Sequence, residues 1–277
     1  MELLDGKKVA EKLKEENLKK AIKLYSRYNK KPCIVVLGIV GNAASEIYMK
    51  KIEKHCKETN IDCISLIAKD EIEFISNFEK VRKNNKITAI MFQQPLPKKV
   101  NEYINKTNVY KDVEGISETN MGKLFLNYDD ALIPCTAMAV FEILNYYNID
   151  VTGKKVVMIG RSNIVGKPIS MLLLNKNATV TICHSKTVNL NEETNKADIL
   201  IVGVGIPNFI KSDDIKKDAI VIDVGINYFN NKIVGDVDFE DVKDKVSMIT
   251  PVPGGVGLVT NMTLISNILK SFELQNK

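Results

Sequence analysis

Short apolar, β-branched runs alternate along the chain with longer segments in which apolar residues recur every three or four positions. That alternation is the pattern of α/β architecture built on parallel strands. In the first third it predicts helices over about 7–28, 44–59 and 72–84, and strands over 33–38, 62–68 and 87–92. Together these make a βαβαβ unit. The periodicity fades over about 106–128, and Pro134 then opens a helix over about 135–147 that reads as one connection between domains. A second α/β unit follows, with strands over 155–159, 178–183, 199–202 and 219–224. Near the end, Pro251-Val252-Pro253-Gly254-Gly255 cannot be helical, yet Leu264, Ile265, Ile268 and Leu269 return to helical spacing. The last helix is therefore expected to pack back onto the first domain.

Composition narrows the class. With 277 residues, 45% of them hydrophobic and 26% charged, the chain can bury two cores, and a disordered or fibrous polypeptide is excluded. No apolar run approaches the roughly 20 residues that cross a bilayer, and the first residues lack the basic-then-apolar order of a secretory signal, so the expectation is a soluble, cytoplasmic protein with no membrane partner. The net charge of +5 arises from lysines scattered among acids, which argues against a nucleic-acid partner. Five cysteines form no C-x-x-C pair and only His55 and His184 could join them, so no metal site is expected.

The candidate chemistry starts at the end of the strand over 155–159. Gly160-Arg161-Ser162-Asn163-Ile164-Val165-Gly166-Lys167-Pro168 reads as strand, tight loop and helix start, a geometry that aims free N–H groups at a phosphate. The standard G-x-G-x-x-G is absent, so a plain loop is an equal reading of this segment taken alone. The next strand ends in Cys183-His184-Ser185-Lys186-Thr187, where the acid that would hold a free ribose 2'-hydroxyl is missing. Arg161 and Ser185 suit a 2'-phosphate instead, which favours NADP over NAD. His184 reads as a strand-end residue satisfied by backbone rather than as a catalyst.

These segments, with Asp223-Val224-Gly225-Ile226-Asn227, Gly235-Asp236-Val237 and Pro251-Val252-Pro253-Gly254-Gly255-Val256-Gly257, resemble those of the FolD family of methylenetetrahydrofolate dehydrogenase/methenyltetrahydrofolate cyclohydrolases. Gln93-Gln94-Pro95-Leu96-Pro97 resembles its Q-x-P-L-P, and Lys111-Asp112-Val113-Glu114-Gly115 its K-D-V-D-G. The resemblance spans nearly the whole chain. It implies an N-terminal α/β substrate domain over 1–119, completed by a C-terminal helix over 262–277, and a Rossmann-type NADP-binding domain with a parallel sheet over 120–261. A cleft between the two and a homodimer are implied as well. The substrates would be tetrahydrofolate one-carbon derivatives and no metal would be required. Site residues implied are Tyr48, Gln93, Glu114, Pro253, Gly254 and Gly255 for folate. For the cofactor they are Gly160, Arg161, Ser162, Ile164, Val165, Gly166, His184, Ser185, Gly203, Gly205, Ile226 and again Gly255.

One departure changes the expected chemistry. The family's S-x-x-Y-V-x-x-K segment reads Ser45-Glu46-Ile47-Tyr48-Met49-Lys50-Lys51-Ile52 here, so Ile52 occupies the lysine position. Adding water to the methenyl carbon needs a group that can gain and lose a proton, and isoleucine can do neither. Hydride transfer asks less of that position. The expectation is a working dehydrogenase with a weak or absent cyclohydrolase. On a helix Lys51 lies about 60° from Tyr48 and position 52 about 40° on the other side, which makes Lys51 the candidate rescue. The alternatives are an ordinary bifunctional enzyme served by Lys51 or a water chain, and a catalytically silent folate- or nucleotide-binding protein. Glu114 keeps the charge of the family aspartate but carries it one methylene farther out.

Overall fold

The computed structural model describes residues 1–41 and 43–277, with side chains described outside 42–47. Along the first half the elements are β1 (Glu2–Leu3), α1 (Gly6–Tyr28), β2 (Cys33–Ile39), α2 (Ala43–Glu58), β3 (Asp62–Ala68), α3 (Glu71–Lys83), β4 (Ala89–Phe92), α4 (Lys98–Asn101) and α5 (Glu118–Phe125). The second half holds α6 (Cys135–Tyr146), β5 (Lys155–Ile159), α7 (Gly166–Leu174), β6 (Thr179–Cys183), α8 (Leu190–Thr194) and β7 (Ile199–Val202). It continues with β8 (Ile220–Asp223), β9 (Asn227–Phe229), β10 (Lys232–Val234), α9 (Phe239–Val242), β11 (Met248–Ile249) and α10 (Val256–Gln275).

The chain divides into two compact units, one of residues 12–135 with 261–277 and one of residues 1–11 with 136–260. The boundary expected at 119/120 therefore falls at 135/136, and the first eleven residues join the second α/β unit. Hydrogen bonding explains both shifts. Asn120, at the start of α5, donates to Val109 O (2.9 Å) and to Asp112 Oδ2 (2.9 Å), and accepts from Leu132 N (3.2 Å), which ties residues 120–132 to the first unit. β1 pairs in parallel with β11, and Gly6 N donates to Gly254 O (2.9 Å).

In the first unit the parallel sheet runs β3-β2-β4, with Ile34 opposite Ala89 and Leu37 opposite Phe92. Val35, Leu37, Ile90 and Phe92 point into a core filled by Phe74 and Phe78 of α3. Helix α3 is fixed at its start by Asp70, whose Oδ1 accepts from Glu73 N (2.8 Å), with acids in its first turn and Lys80, Arg82 and Lys83 in its last. The strands bring Gly38 and Gln93 side by side at their C-terminal edge, where the Gln93 N–H continues the ladder to Leu37 O (2.8 Å).

The second unit carries a six-stranded sheet in the order β1-β11-β8-β7-β5-β6, all parallel. Its core gathers Val157, Ile159, Leu200, Val202, Val221 and Ile249. The chain leaves β5 for β6 on one side and later returns to β7 on the other. The C-terminal end of β5 is therefore a topological switch point, the place where open α/β sheets bind ligands.

Candidate functional site

Two of the residues that the resemblance assigns to folate, Gln93 and Glu114, stand at the C-terminal end of β4 in the first unit. The Lys111-to-Gly115 segment shows how one short motif is divided between scaffold and site. Lys111 Nζ is turned away, donating to Arg82 O (3.2 Å) and Asn84 O (2.9 Å) behind α3. Buried Asp112 accepts from Ser117 N (2.8 Å), and Val113 O accepts from Asn267 Nδ2 of α10 (2.8 Å). Gly115 sits at φ +68°, and a Cβ there would lie 2.3 Å from Leu132 O, so no other residue closes this turn. The turn leaves Glu114 facing the end of β4, where its Oε2 accepts from Phe92 N (3.1 Å).

Glu114 is desolvated, and burial pushes its carboxyl up to about 7, with buried Asp112 adding to the rise and the Phe92 N–H opposing it. The Tyr48 phenol feels the same environment: burial first, then the charge of Glu114, drive it above its ordinary range, so at neutral pH it keeps its proton and can donate a hydrogen bond. Cys135, at the start of α6, lies near enough for its thiol to be pushed up by burial and by Glu114. Gln93 is 8% exposed. Its Nε2 donates to Gln94 O (2.9 Å), while its Oε1 is buried with no hydrogen-bond partner. Gly38 makes room for it, since a Cβ there would come within 3.1 Å of Gln93 Cβ.

Tyr48, Ile52 and Cys56 recur every fourth residue along α2 and so share one face. Ile52 is 1% exposed. Lys51 is exposed, on the side of α2 that meets solvent. The side chains of Ser45, Glu46 and Ile47, part of the segment that aligned this helix with the family, lie outside the described residues.

In the second unit the loop after β5 is held by Gly160 N donating to Cys183 O (2.9 Å) and by Ser162 Oγ accepting from Val165 N (3.1 Å). A Cβ on Gly166 would lie 2.1 Å from Gly160 O, and one on Gly160 (φ +120°) would lie 2.3 Å from Gly203 O. These are backbone approaches that only glycine permits, and they form a cradle at the switch point that fits a dinucleotide. Arg161, Ser162 and Ile164 are exposed around it, with Val165 half-buried. Ser185 is exposed and emerges from β6, the strand beside β5. His184 accepts at Nδ1 from Lys186 N (3.1 Å), so its ring closes the turn after β6. Ile226 is exposed. Gly254 sits at φ +112°, and a Cβ on Gly255 would meet Pro251 O at 2.5 Å, so the Pro253–Gly255 turn is fixed by backbone crowding.

Asp223 and Asp236, to which the sequence motifs assign no role, are buried. Asp236 accepts from Val204 N (2.6 Å), Gly205 N (2.9 Å) and Ile206 N (3.0 Å), and so shapes the loop that carries Gly203 and Gly205. Asp223 accepts from Gly225 N (2.9 Å) and Val237 N (2.8 Å), and burial lifts its carboxyl to about 6. Their spacing from Gly225 and Gly235 was the available signal: a Cβ at Gly235 would overlap Asp223 Oδ2 at 1.8 Å.

Family models fit both units. Residues 4–114 match the catalytic domain of tetrahydrofolate dehydrogenase/cyclohydrolase, and residues 134–276 match its NAD(P)-binding domain. The chain belongs to this family. It is 44% identical, over all of this chain and 98% of the relative, to the bifunctional protein FolD of Thermodesulfovibrio yellowstonii. The structure of the bifunctional FolD enzyme of Campylobacter jejuni superposes with a TM-score of 0.94, at 40% identity and 99% coverage of both chains. The FolD of Trypanosoma brucei, solved with NADP and an inhibitor, gives a TM-score of 0.92 at 29% identity, covering 99% of this chain and 98% of that one. Family membership makes the chain an enzyme of the dehydrogenase/cyclohydrolase type with a two-domain α/β fold. Among the described residues no group of His, Cys, Asp and Glu is arranged to hold a metal, and no helix is long and apolar enough to cross a membrane.

Proposed function

We propose that this enzyme oxidises 5,10-methylenetetrahydrofolate to the methenyl form with NADP, and that its cyclohydrolase step is weak or absent. The observation that carries the second half is the pairing of a fully buried Ile52 with an unpartnered, buried Gln93 Oε1. An acceptor left without a donor in the interior costs about 1–3 kcal/mol, which a site tolerates when a ligand or a neighbouring ammonium is meant to fill it. At position 52, where the family's lysine would stand, this chain carries an isoleucine that bears no exchangeable proton.

NADP, when bound, supplies a nicotinamide that accepts hydride from the one-carbon unit. The residues that would hold it are Gly160, Gly166 and the loop N–H groups, with Arg161 and Ser185 for the 2'-phosphate. Tyr48 keeps its proton and donates a hydrogen bond. Gln93 Oε1 accepts one. Glu114, poised near neutrality, is divided between acid and carboxylate and can hold a proton on the pterin or release it. None of these steps requires the missing lysine, whereas ring opening by water does.

The decisive assay follows both reactions on one preparation. NADPH should appear with methylenetetrahydrofolate, while methenyltetrahydrofolate should disappear no faster than about tenfold above buffer. Absence of oxidation would sink the dehydrogenase reading in favour of a silent binding protein. Brisk hydrolysis would favour the bifunctional reading, in which exposed Lys51 or water serves.

Glu114 also predicts a pH effect. Its folded pKa of about 7 lies above its ordinary 4.5, so the neutral acid is preferred in the folded state. The stability it confers relative to its ionised form is full below about pH 4.5 and is lost as pH rises through 7. Glu114→Gln should therefore gain on the parent by on the order of 3 kcal/mol between pH 4.5 and 8, read by urea unfolding. A constant difference across that range would refute the burial argument.

A homodimer in the cytoplasm completes the proposal. Tyr228, Phe229 and Ile233 of the β9–β10 ribbon are exposed apolar side chains on one two-stranded element, which is marginal in water alone. Tyr228→Glu with Ile233→Glu should halve the mass measured by sedimentation, and an unchanged mass would remove this ribbon from the interface.

A further inference from the structure

We propose that Cys63 and Cys56 form a thiol pair that small disulfides oxidise, with Cys63 reacting first as the nucleophile and Cys56 resolving the adduct into an internal disulfide. Two independent contacts bring the pair together. Ser65 Oγ donates to Glu53 Oε1 (2.8 Å), and Ser65 and Cys63 occupy the same face of β3 while Glu53 and Cys56 are three residues apart on α2. Where α2 turns into β3, Ile61 N donates to Cys56 O (2.9 Å), closing the turn directly before Cys63. The neighbouring Cys56 thiol holds the Cys63 thiol below its ordinary range, against the opposing effects of burial and Glu53. Cys56 is fully buried and its own thiol is pushed up, so it cannot be the first to react.

Of the two sulfurs, that of Cys63 is the accessible one. It is half-buried and lines a cavity of about 440 Å³ with Lys31, Lys57, Asn60 and Asp62. Room for a small disulfide therefore lies beside the more acidic of the two sulfurs. The Cys63 thiolate attacks one sulfur of R–S–S–R; a Cys63–S–S–R bond forms and RS⁻ leaves. The Cys56 sulfur then attacks Cys63 Sγ, the second R–S group leaves, and it takes up the Cys56 proton. Two protein thiols are oxidised and one small disulfide is reduced to two thiols. Because an S–S bond is about 2.05 Å long, its formation draws the end of α2 toward β3. Tyr48 lies on the same helix face, so the folate step should slow in the oxidised form. That last consequence rests on the proposed function, whereas the covalent chemistry does not.

The test uses the full chain and oxidised glutathione, read by intact mass and by alkylation of the remaining thiols. The parent should lose two hydrogens, with Cys56 and Cys63 protected and Cys33 still alkylated. Cys56→Ser should stop at one glutathione on Cys63, and Cys63→Ser should take no adduct at Cys56 while keeping its dehydrogenase rate. Oxidation should lower that rate by about tenfold or more in the parent and leave Cys63→Ser unaffected. The pair is overturned if Cys33 reacts before Cys63, or if the parent accumulates a stable Cys63 adduct that Cys56 does not displace. A disulfide that forms without any change in rate would keep the pair and discard its link to Tyr48.

Discussion

Replacing Ile52 by lysine is expected to raise hydrolysis of methenyltetrahydrofolate by about a hundredfold or more, the range a positioned acid–base group contributes, while oxidation by NADP changes far less. The site is already built for the incoming ammonium. Position 52 shares a helix face with Tyr48, the Tyr48 phenol lies within electrostatic reach of Glu114, and Gln93 Oε1 is a buried acceptor with no donor. A lysine there would bring the donor that Gln93 lacks and would pull the Glu114 carboxyl down from about 7 toward its ordinary value. Burying an ammonium in place of a fully enclosed isoleucine costs stability, so the variant should unfold a few kcal/mol earlier in denaturant unless Glu114 compensates it. The comparison requires both activities from one preparation. A folded variant that oxidises normally and hydrolyses no faster than the parent would show that the missing proton carrier is not what limits ring opening.

Gly166→Ala should abolish useful NADP binding, raising the dissociation constant by about a hundredfold, or roughly 3 kcal/mol. The new Cβ would sit 2.1 Å from Gly160 O and 2.9 Å from Arg161 N, which are backbone atoms that cannot swing aside. Relief requires α7 to move off the loop, and the cradle opens with it. Gly122→Ala is the matched control, because a Cβ there meets nothing within 4 Å and helix propensity favours alanine. Quenching of NADPH fluorescence on binding measures the effect, with circular dichroism to establish that both variants fold. Binding by Gly166→Ala within threefold of the parent would mean that this loop does not carry the dinucleotide.

Much of this was legible in the residue pattern, and the places where legibility failed share a cause. Strands β5 and β7 occur where apolar runs predicted them, because a strand covered on both faces must be apolar throughout. Helix α5 lies inside the stretch where periodicity faded. Its start is set by Ser117 Oγ accepting from Asn120 N (3.3 Å), a capping signal present in the sequence but overshadowed by the polar residues around it. The β9–β10 hairpin turns through Asn230 and Asn231, both at positive φ, and that Asn-Asn pair was the overlooked sign. Strands β1 and β11 are two residues each and exist only because each finds a partner far away in sequence.

The candidate site divides along the same line. The sequence alone determined the α/β class, the glycine loop after β5 and the substitution at position 52, since each depends on residue type and local spacing. It could not determine that Lys111 is spent on the backbone behind α3, that Asp112 staples the turn, or that Asp236 holds the Gly203–Gly205 loop. Nor could it determine that Gln93 is left with an open acceptor or that Glu114 titrates near neutrality. Those outcomes are set by which groups lose water and which find a hydrogen-bond partner, and both are decided only when distant segments pack together.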